Sequence, residues 1–386
     1  MTDQCLLRNV FTKCLEQKKL RISVIGNSVT YGAAFDGQKI DSFYVRLAPW
    51  FKRHFPDAEI EVRTGIIFAM GPETQLFRME EKLLAFNPDL VVAEFSAANA
   101  AWGAKGRSVT DPATEGYIRR LRLLRPDTDM LLNLGLFIAE MDDYRAGRRP
   151  PTVEYLYAVA DRYGCVLTDA GEALARRILA GEKWETFMND GIHPGPAGYA
   201  VHGEVIEREL DRQWALYQEL PPAQRVVTAR PLPSATVTPA PWVWPRLVPA
   251  WFAENLRDFT PGEHGRVKYL EGRPGATGSY SAGRGRIVGI LHHLGGANPE
   301  PRANVEVRFD GTGDWVELNL KNEPGFPEED DRDNLFKRQF FGGYGLPAAG
   351  CHTLEFRVVP NADYAPARLA GFFVIEQDGD LGFQRK

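Results

Sequence analysis

The chain has 386 residues, 44% of them hydrophobic and 25% charged, with a formal net charge of -5 and acidic and basic residues interspersed. That length can bury more than one core, and that charge excludes the basic footprint of a nucleic-acid or anionic-membrane binder. No apolar run reaches the length that a bilayer span requires. The start, Met1-Thr-Asp-Gln-Cys-Leu-Leu-Arg, lacks a positive n-region and an unbroken apolar core, so it reads as an amphipathic helix and not as a secretion signal. Cys5, Cys14, Cys165 and Cys351 are scattered without metal-ligand spacing, which leads to the expectation of reduced thiols in a cytoplasmic protein.

From Leu20 to about Trp214 short apolar strands alternate with helical stretches, the pattern of a parallel sheet covered on both faces. The expected strands are Arg21–Ile25, Glu59–Arg63, Leu90–Phe95, Met130–Gly135 and Val166–Asp169. Helices are expected near Tyr44–Phe55, Thr74–Ala85, Thr114–Leu124, Thr152–Tyr163, Gly171–Leu179 and Pro196–Tyr217. Pro56, Pro88 and Pro126 each fall between a helix and the next strand, where a helix cannot continue. The alternation predicts a flavodoxin-like three-layer α/β/α domain over residues 1–220.

Residues 221–250 are dense in proline and lack either periodicity, so they read as a linker, with Trp242-Val-Trp244 suggesting that it packs on a surface. Beyond it, over residues 251–386, short alternating segments such as Val305–Phe309, Trp315–Leu320, Thr353–Val358 and Leu369–Ile375 are separated by Gly, Asn, Asp and Pro turns. That is the signature of an antiparallel β-sandwich of jelly-roll type.

Ser28 follows the first apolar strand in Gly26-Asn27-Ser28-Val29-Thr30-Tyr31-Gly32, which places its hydroxyl at the carboxyl edge of the sheet, where open α/β folds carry their sites. Taken alone, Gly-Asn-Ser is an ordinary helix N-cap. The segment Asn189-Asp190-Gly-Ile-His193-Pro194 changes that reading, because a carboxylate three residues before a histidine can orient the imidazole as a general base. Ser28, His193 and Asp190 together suggest a hydrolytic triad. His202, on the following helix, reads as a surface or packing residue. His292 and His293 are neighbours on a β segment and point to opposite faces, so no metal site is expected there.

These blocks resemble the SGNH, or GDSL-like, hydrolase family, in its carbohydrate esterase-like branch. The resemblance covers roughly residues 6 to 212 and includes Gly26 to Gly32, the stretch Arg78-Met-Glu-Glu-Lys-Leu-Leu, Asn87-Pro-Asp-Leu-Val-Val-Ala-Glu-Phe95, and Asp190-Gly-Ile-His193-Pro194 with Gly198 after it. It implies a serine esterase, a hydrolase and deacetylase working through an acyl-serine on Ser28, with His193 as base and acid, Asp190 as its orienter, and no metal or organic cofactor. It also implies an oxyanion hole built from the backbone N–H of Ser28, a glycine N–H and an asparagine amide. In Thr64-Gly-Ile-Ile-Phe-Ala69-Met-Gly71 a gapless alignment puts Ala69 at the glycine's place, and Gly71 fits with a longer loop. In Glu94-Phe-Ser-Ala-Ala98-Asn99 it puts Ala98 at the asparagine's place, with Asn99 displaced by one. Asn27 stands where the family has an acidic residue or glycine.

Loops after the strands should rim the site, and Trp102 and Tyr144 are the residues expected to touch a sugar, with Arg145, Arg148 and Arg149 reading as a solvated face. Trp184 and Phe187 fit either an acyl-pocket wall or the end of an amphipathic helix. The expected substrate is an acylated carbohydrate or other small ester, with neither nucleic acid nor membrane as partner and a homo-oligomer left open. The same triad also suits an O-acyltransferase, and the departures at Ala98 and the second block suit a catalytically impaired glycan-binding protein. The C-terminal sandwich resembles the jelly-roll modules that accompany carbohydrate esterases.

Overall fold

The computed structural model describes residues 4–32, 39–67, 71–101, 103–264, 267–293, 303–318, 336–344, 346–347, 349–360 and 365–376. Its contacts divide the chain into two units, one of residues 1–103 and 110–241 and one of residues 104–109 and 242–386.

In the first unit β1 (Lys19–Gly26), β2 (Glu59–Ile66), β3 (Leu90–Ala93), β4 (Asp129–Leu134) and β5 (Val166–Asp169) form a parallel sheet in the order β2-β1-β3-β4-β5. This is the expected flavodoxin-like order, which reverses direction between β1 and β3. Every residue of β3 and β4 is buried, as apolar runs such as Leu90-Val-Val-Ala must be when helices cover both faces. On one face Phe11, Trp50, Phe51, Tyr199, Leu210 and Tyr217 pack against Ile22, Val24, Leu90, Val92 and Leu131. Those side chains come from the helices Arg8–Glu16, Leu47–His54 and Pro196–Glu219. By strand alternation Ile25, Val91 and Leu132 face the opposite layer, to which the helices Gly103–Leu124 and Pro151–Tyr163 bring buried Tyr117, Leu121 and Leu156.

Three helices differ from their sequence reading. The stretch Tyr44–Phe55 begins as a 3-10 turn, Phe43–Arg46, before the helix proper. The stretch Thr74–Ala85 breaks into Pro72–Phe77, Met79–Lys82 and the 3-10 turn Leu84–Phe86, and is stopped by Asn87 in the left-handed region at φ 53°. That conformation is one asparagine tolerates. The helix expected from Thr114 starts at Gly103 and carries Pro112 inside it.

The segment read as a linker is not free chain. Arg230 reaches the fully buried Asp129 at 2.6 Å and donates to the Leu6 carbonyl at 2.7 Å. The backbone N–H groups of Val237 and Thr238 donate to the buried Glu115 carboxylate at 2.7 and 2.6 Å. Removing one partner of a buried ion pair leaves an uncompensated charge, so Arg230→Met is expected to destabilise the protein by about 3 kcal/mol, measured as a fall in the urea midpoint with an unchanged slope. The end of the same segment, Trp244–Pro249, is a strand, β6. Its prolines hid it from the sequence reading, but among the described residues β6 pairs only with the last strand of its sheet and so lies at an edge, where missing N–H groups are tolerated.

The second unit is antiparallel throughout its described strands. These are β6, β7 (Glu254–His264), β8 (Val267–Ser281), β9 (Arg286–His293), β10 (Val305–Phe309), β11 (Thr312–Leu318), β12 (Phe336–Phe340), β13 (Thr353–Val358) and β14 (Ala367–Glu376). They are hydrogen-bonded as one nine-stranded sheet among the described residues. The sheet curls because β8 and β14 change partners along their length: β8 pairs with β14 through Leu270–Gly272 and with β13 through Thr277–Ser281. A core cluster of this unit holds Val248, Tyr280, Ile290, Val305, Phe356 and Phe372, with the Tyr280 and Phe372 rings stacked at 4.4 Å.

Candidate active site

β1 ends on Gly26, whose carbonyl accepts from Ile67 N–H at 3.0 Å and from the Gln75 side chain at 2.7 Å. A Cβ at position 26 would lie 1.9 Å from Thr30 Oγ1, so only glycine lets the chain turn here. Asn27 caps the one-turn helix Ser28–Tyr31, its side chain accepting from Val29 N–H at 2.9 Å. Ser28 therefore opens that turn, half-buried at the carboxyl edge of β1 and beside the point where the strand order reverses.

The second segment is held just as firmly. Met188 and Pro194 form an antiparallel bridge, Asn189 N–H donates to His193 O at 2.8 Å, and Gly195 N–H to Phe187 O at 2.7 Å. Trp184 donates its indole N–H to the Asp190 carbonyl at 2.9 Å. Beneath the loop Leu136, Met141, Leu174, Phe187, Met188 and Val201 form a small core. On the helix that follows, the buried Tyr199 hydroxyl donates to Val29 O at 2.7 Å and so ties this segment to the Ser28 turn.

The two segments meet. His193 Nε2 lies 2.8 Å from Ser28 Oγ, and His193 Nδ1 lies 2.7 Å from Asp190 Oδ2. An ionised carboxylate only accepts, so Nδ1 carries the proton and Nε2 presents its lone pair to the serine hydroxyl. The other Asp190 oxygen, Oδ1, accepts backbone N–H bonds from Ile192 and His193 at 2.8 and 2.7 Å. Partial burial works against the charge on Asp190, but those two N–H groups and the imidazole outweigh it and hold the carboxyl below its ordinary range. Since the unfolded chain takes up this proton at a higher pH, the stabilisation is complete above the ordinary carboxylate range. It is lost as pH falls through the depressed folded value.

Of the oxyanion candidates, the Ser28 N–H lies at the start of its helical turn. Ala69 lies outside the described residues. The Gly71 N–H donates to Glu73 Oε1 at 3.2 Å. Asn99 is wholly buried in the helix Ser96–Ala101, its amide nitrogen set 3.4 Å from Thr114 Oγ1, and it makes no hydrogen bond to Ser28 or His193.

Trp102 also lies outside the described residues. Tyr144 packs against the small core under the His193 loop with its hydroxyl buried. Arg145 and Arg148 are exposed and paired with Asp142 and Asp143, and Arg149 lies over the Tyr157 ring. Phe187 is core, and Trp184 serves the Asp190 carbonyl. His202 is fully buried against Phe43 and accepts from the Asn133 amide at 2.9 Å, and burial pushes its pKa down to about 4. It is a neutral packing residue. Among the described residues no group of three or more His, Cys, Asp or Glu is arranged to hold a metal ion. Sequence reasoning missed Trp184, Tyr199 and Glu94 as supports of the site. Their signal was positional, since each sits within six residues of a motif residue or on the helix that leaves it.

A 2-1-3-4-5 parallel sheet with a serine leaving β1 and an Asp-x-x-His loop entering the last helix defines a serine hydrolase of the SGNH type. Residues 24–201 match the model of the GDSL-like Lipase/Acylhydrolase family. No curated protein matches the chain. Among solved structures, a two-domain esterase (CEX) active on acetylated mannans, crystallized with mannopentaose, is similar over 96% of this chain and 95% of its own, at 18% identity and a TM-score of 0.68. A second structure of such an esterase covers 97% and 96% at 17% identity, with a TM-score of 0.67. Axe2, an acetylxylan esterase from Geobacillus stearothermophilus, covers 50% of this chain and 94% of its own at 17% identity, with a TM-score of 0.41. At these identities the CEX structures establish a shared two-domain fold.

Proposed function

We propose that the protein is an esterase that removes acetyl or another short acyl group from a carbohydrate through an acyl-serine intermediate. The observation that carries this reading is the continuous hydrogen-bonded series Ser28–His193–Asp190. Ser28 Oγ attacks the ester carbonyl carbon while its proton passes to His193 Nε2, and Asp190 stabilises the resulting imidazolium. The Ser28 N–H contributes to holding the oxyanion. Collapse of the tetrahedral intermediate breaks the bond to the sugar oxygen, which takes the proton from His193. Water then gives a proton to His193, attacks the acyl carbon and releases the carboxylic acid, restoring Ser28. A general base in this position contributes about 10²–10⁴ to the rate.

The sugar half of the proposal is supported by the activity of the similar two-domain esterase on acetylated mannans. Incubation with acetylated mannan is expected to release free acetate in step with loss of polymer-bound ester. An enzyme that cleaves a small aryl acetate yet frees no acetate from acetylated mannan, xylan or oligosaccharide contradicts the carbohydrate assignment.

A further inference from the structure

Beneath the Ser28 turn lies a carboxyl group that the reaction above does not use. Glu94 directly follows β3, is wholly buried, and donates its own N–H to Ile25 O at 3.0 Å. Its Oε1 accepts the Ser96 hydroxyl at 2.7 Å and the Ala97 N–H at 2.8 Å. The Asn27 side chain lies beside the same carboxyl and favours its charged form, while Glu94 Oε2 has no hydrogen-bond partner among the described residues. Ser96 Oγ, having donated to Glu94, accepts the Gly135 N–H at 2.7 Å. One carboxyl thus gathers the turn after β1, the helix after β3 and the exit of β4.

We propose that Glu94 is a positioning residue that fixes the Asn27–Ser28 turn against the loops after β3 and β4, and thereby sets Ser28 Oγ in reach of His193. The groups that meet it are a hydroxyl, a backbone N–H and an amide, none of them charged. Burial pushes the Glu94 pKa up, which favours the neutral acid. A neutral carboxyl in that surrounding acts as a hydrogen-bond hub and not as an ion, and a buried polar hub that loses one member leaves the others unsatisfied. The backbone of Glu94 also stands close against the turn: a Cβ on Gly26 would lie 3.1 Å from the Glu94 carbonyl oxygen. Misplacement of a reacting group by about 1 Å costs about 10²-fold in rate.

The inference rests on Ser28 being the nucleophile, so the test includes Ser28→Ala. Hydrolysis of 4-nitrophenyl acetate is measured well below the unfolding temperature, with kcat expressed per serine labelled by a fluorophosphonate. Glu94→Ala is expected to lower kcat about 10²-fold with KM little changed, Ser96→Ala to give a smaller loss in the same direction, and Glu94→Gln to recover most of the loss. The normalisation to labelled serine and the rescue by the neutral isostere separate positioning from general loss of structure. If Glu94→Ala does not fold, Ser96→Ala and Glu94→Gln carry the test: a kcat loss in the first and near-wild-type kcat in the second support the inference. Wild-type kcat in both Glu94→Ala and Ser96→Ala, wild-type kcat in Ser96→Ala where Glu94→Ala does not fold, or a folded Glu94→Gln that is as slow as Glu94→Ala, overturns it. If Ser28→Ala keeps the wild-type rate, the esterase reading itself fails. If Ser28→Ala is inactive while Glu94→Ala is not slowed, only the role of Glu94 fails.

Discussion

Replacing Ser28 by alanine is expected to lower kcat for an acetyl ester by about 10⁵-fold, with thermal and urea unfolding left close to those of the parent. The two halves of that expectation come from different features. The rate falls because Oγ is the atom proposed to form the acyl bond, and the Ser28 N–H that remains can polarise a carbonyl without attacking it. Stability holds because the serine is only half-buried and its partner, the imidazole of His193, is 23% exposed, so water can take the place of the hydroxyl. Steady-state kinetics with an aryl acetate, together with a urea titration, checks both. A large loss of stability would mean that Ser28 holds the turn together instead of acting from it.

Asp190→Asn is expected to cost about 10⁴-fold in kcat with KM for the same ester little altered. The geometry says why the amide is so damaging. Oδ1 of Asp190 accepts two backbone N–H bonds, from Ile192 and His193, and an asparagine placed there must keep its carbonyl oxygen at that position to satisfy them. Its NH2 is then forced toward His193 Nδ1, which has to become an acceptor. The imidazole proton moves to Nε2, and the lone pair that faced Ser28 Oγ at 2.8 Å is gone. Asp190→Ala removes this wrong-tautomer lock while leaving the two N–H groups to solvent, and it is expected to be no worse than the asparagine variant. Kinetics of both variants on one ester, with circular dichroism to show folding, measures the difference.

The parts of the fold that were legible were those whose burial is written in each residue's own chemistry. Leu90-Val-Val and Met130-Leu-Leu read as strands because a strand covered on both faces has no polar alternative, and the Pro-punctuated alternation with helices fixed a parallel sheet. β6 and β7 were not legible for the opposite reason. Trp244–Pro249 carries prolines that an edge strand accepts, and Glu254–His264 is mostly exposed, so its strand character comes from pairing with β8 and leaves little apolar pattern. The site divides in the same way. Ser28, Asp190 and His193 stood out because their spacing carries chemistry, and the structure brings the three together. The hydrogen bonds of Gly71 to Glu73 and of Asn99 to Thr114 depend on where loops settle, which a block alignment does not contain. The Glu94 network was hidden too, because a glutamate ending an apolar strand looks like surface until the neighbouring loops are seen to close over it.

The central claim is that Ser28 is a nucleophile activated through His193, and a fluorophosphonate probe tests it most directly, because only an activated hydroxyl reacts with it quickly. Mass spectrometry of the labelled parent protein is expected to show one adduct per chain on the peptide bearing Ser28, with labelling slowed by orders of magnitude in His193→Ala. An unlabelled Ser28 in the folded parent, or labelling that proceeds as fast without the imidazole, would contradict the account.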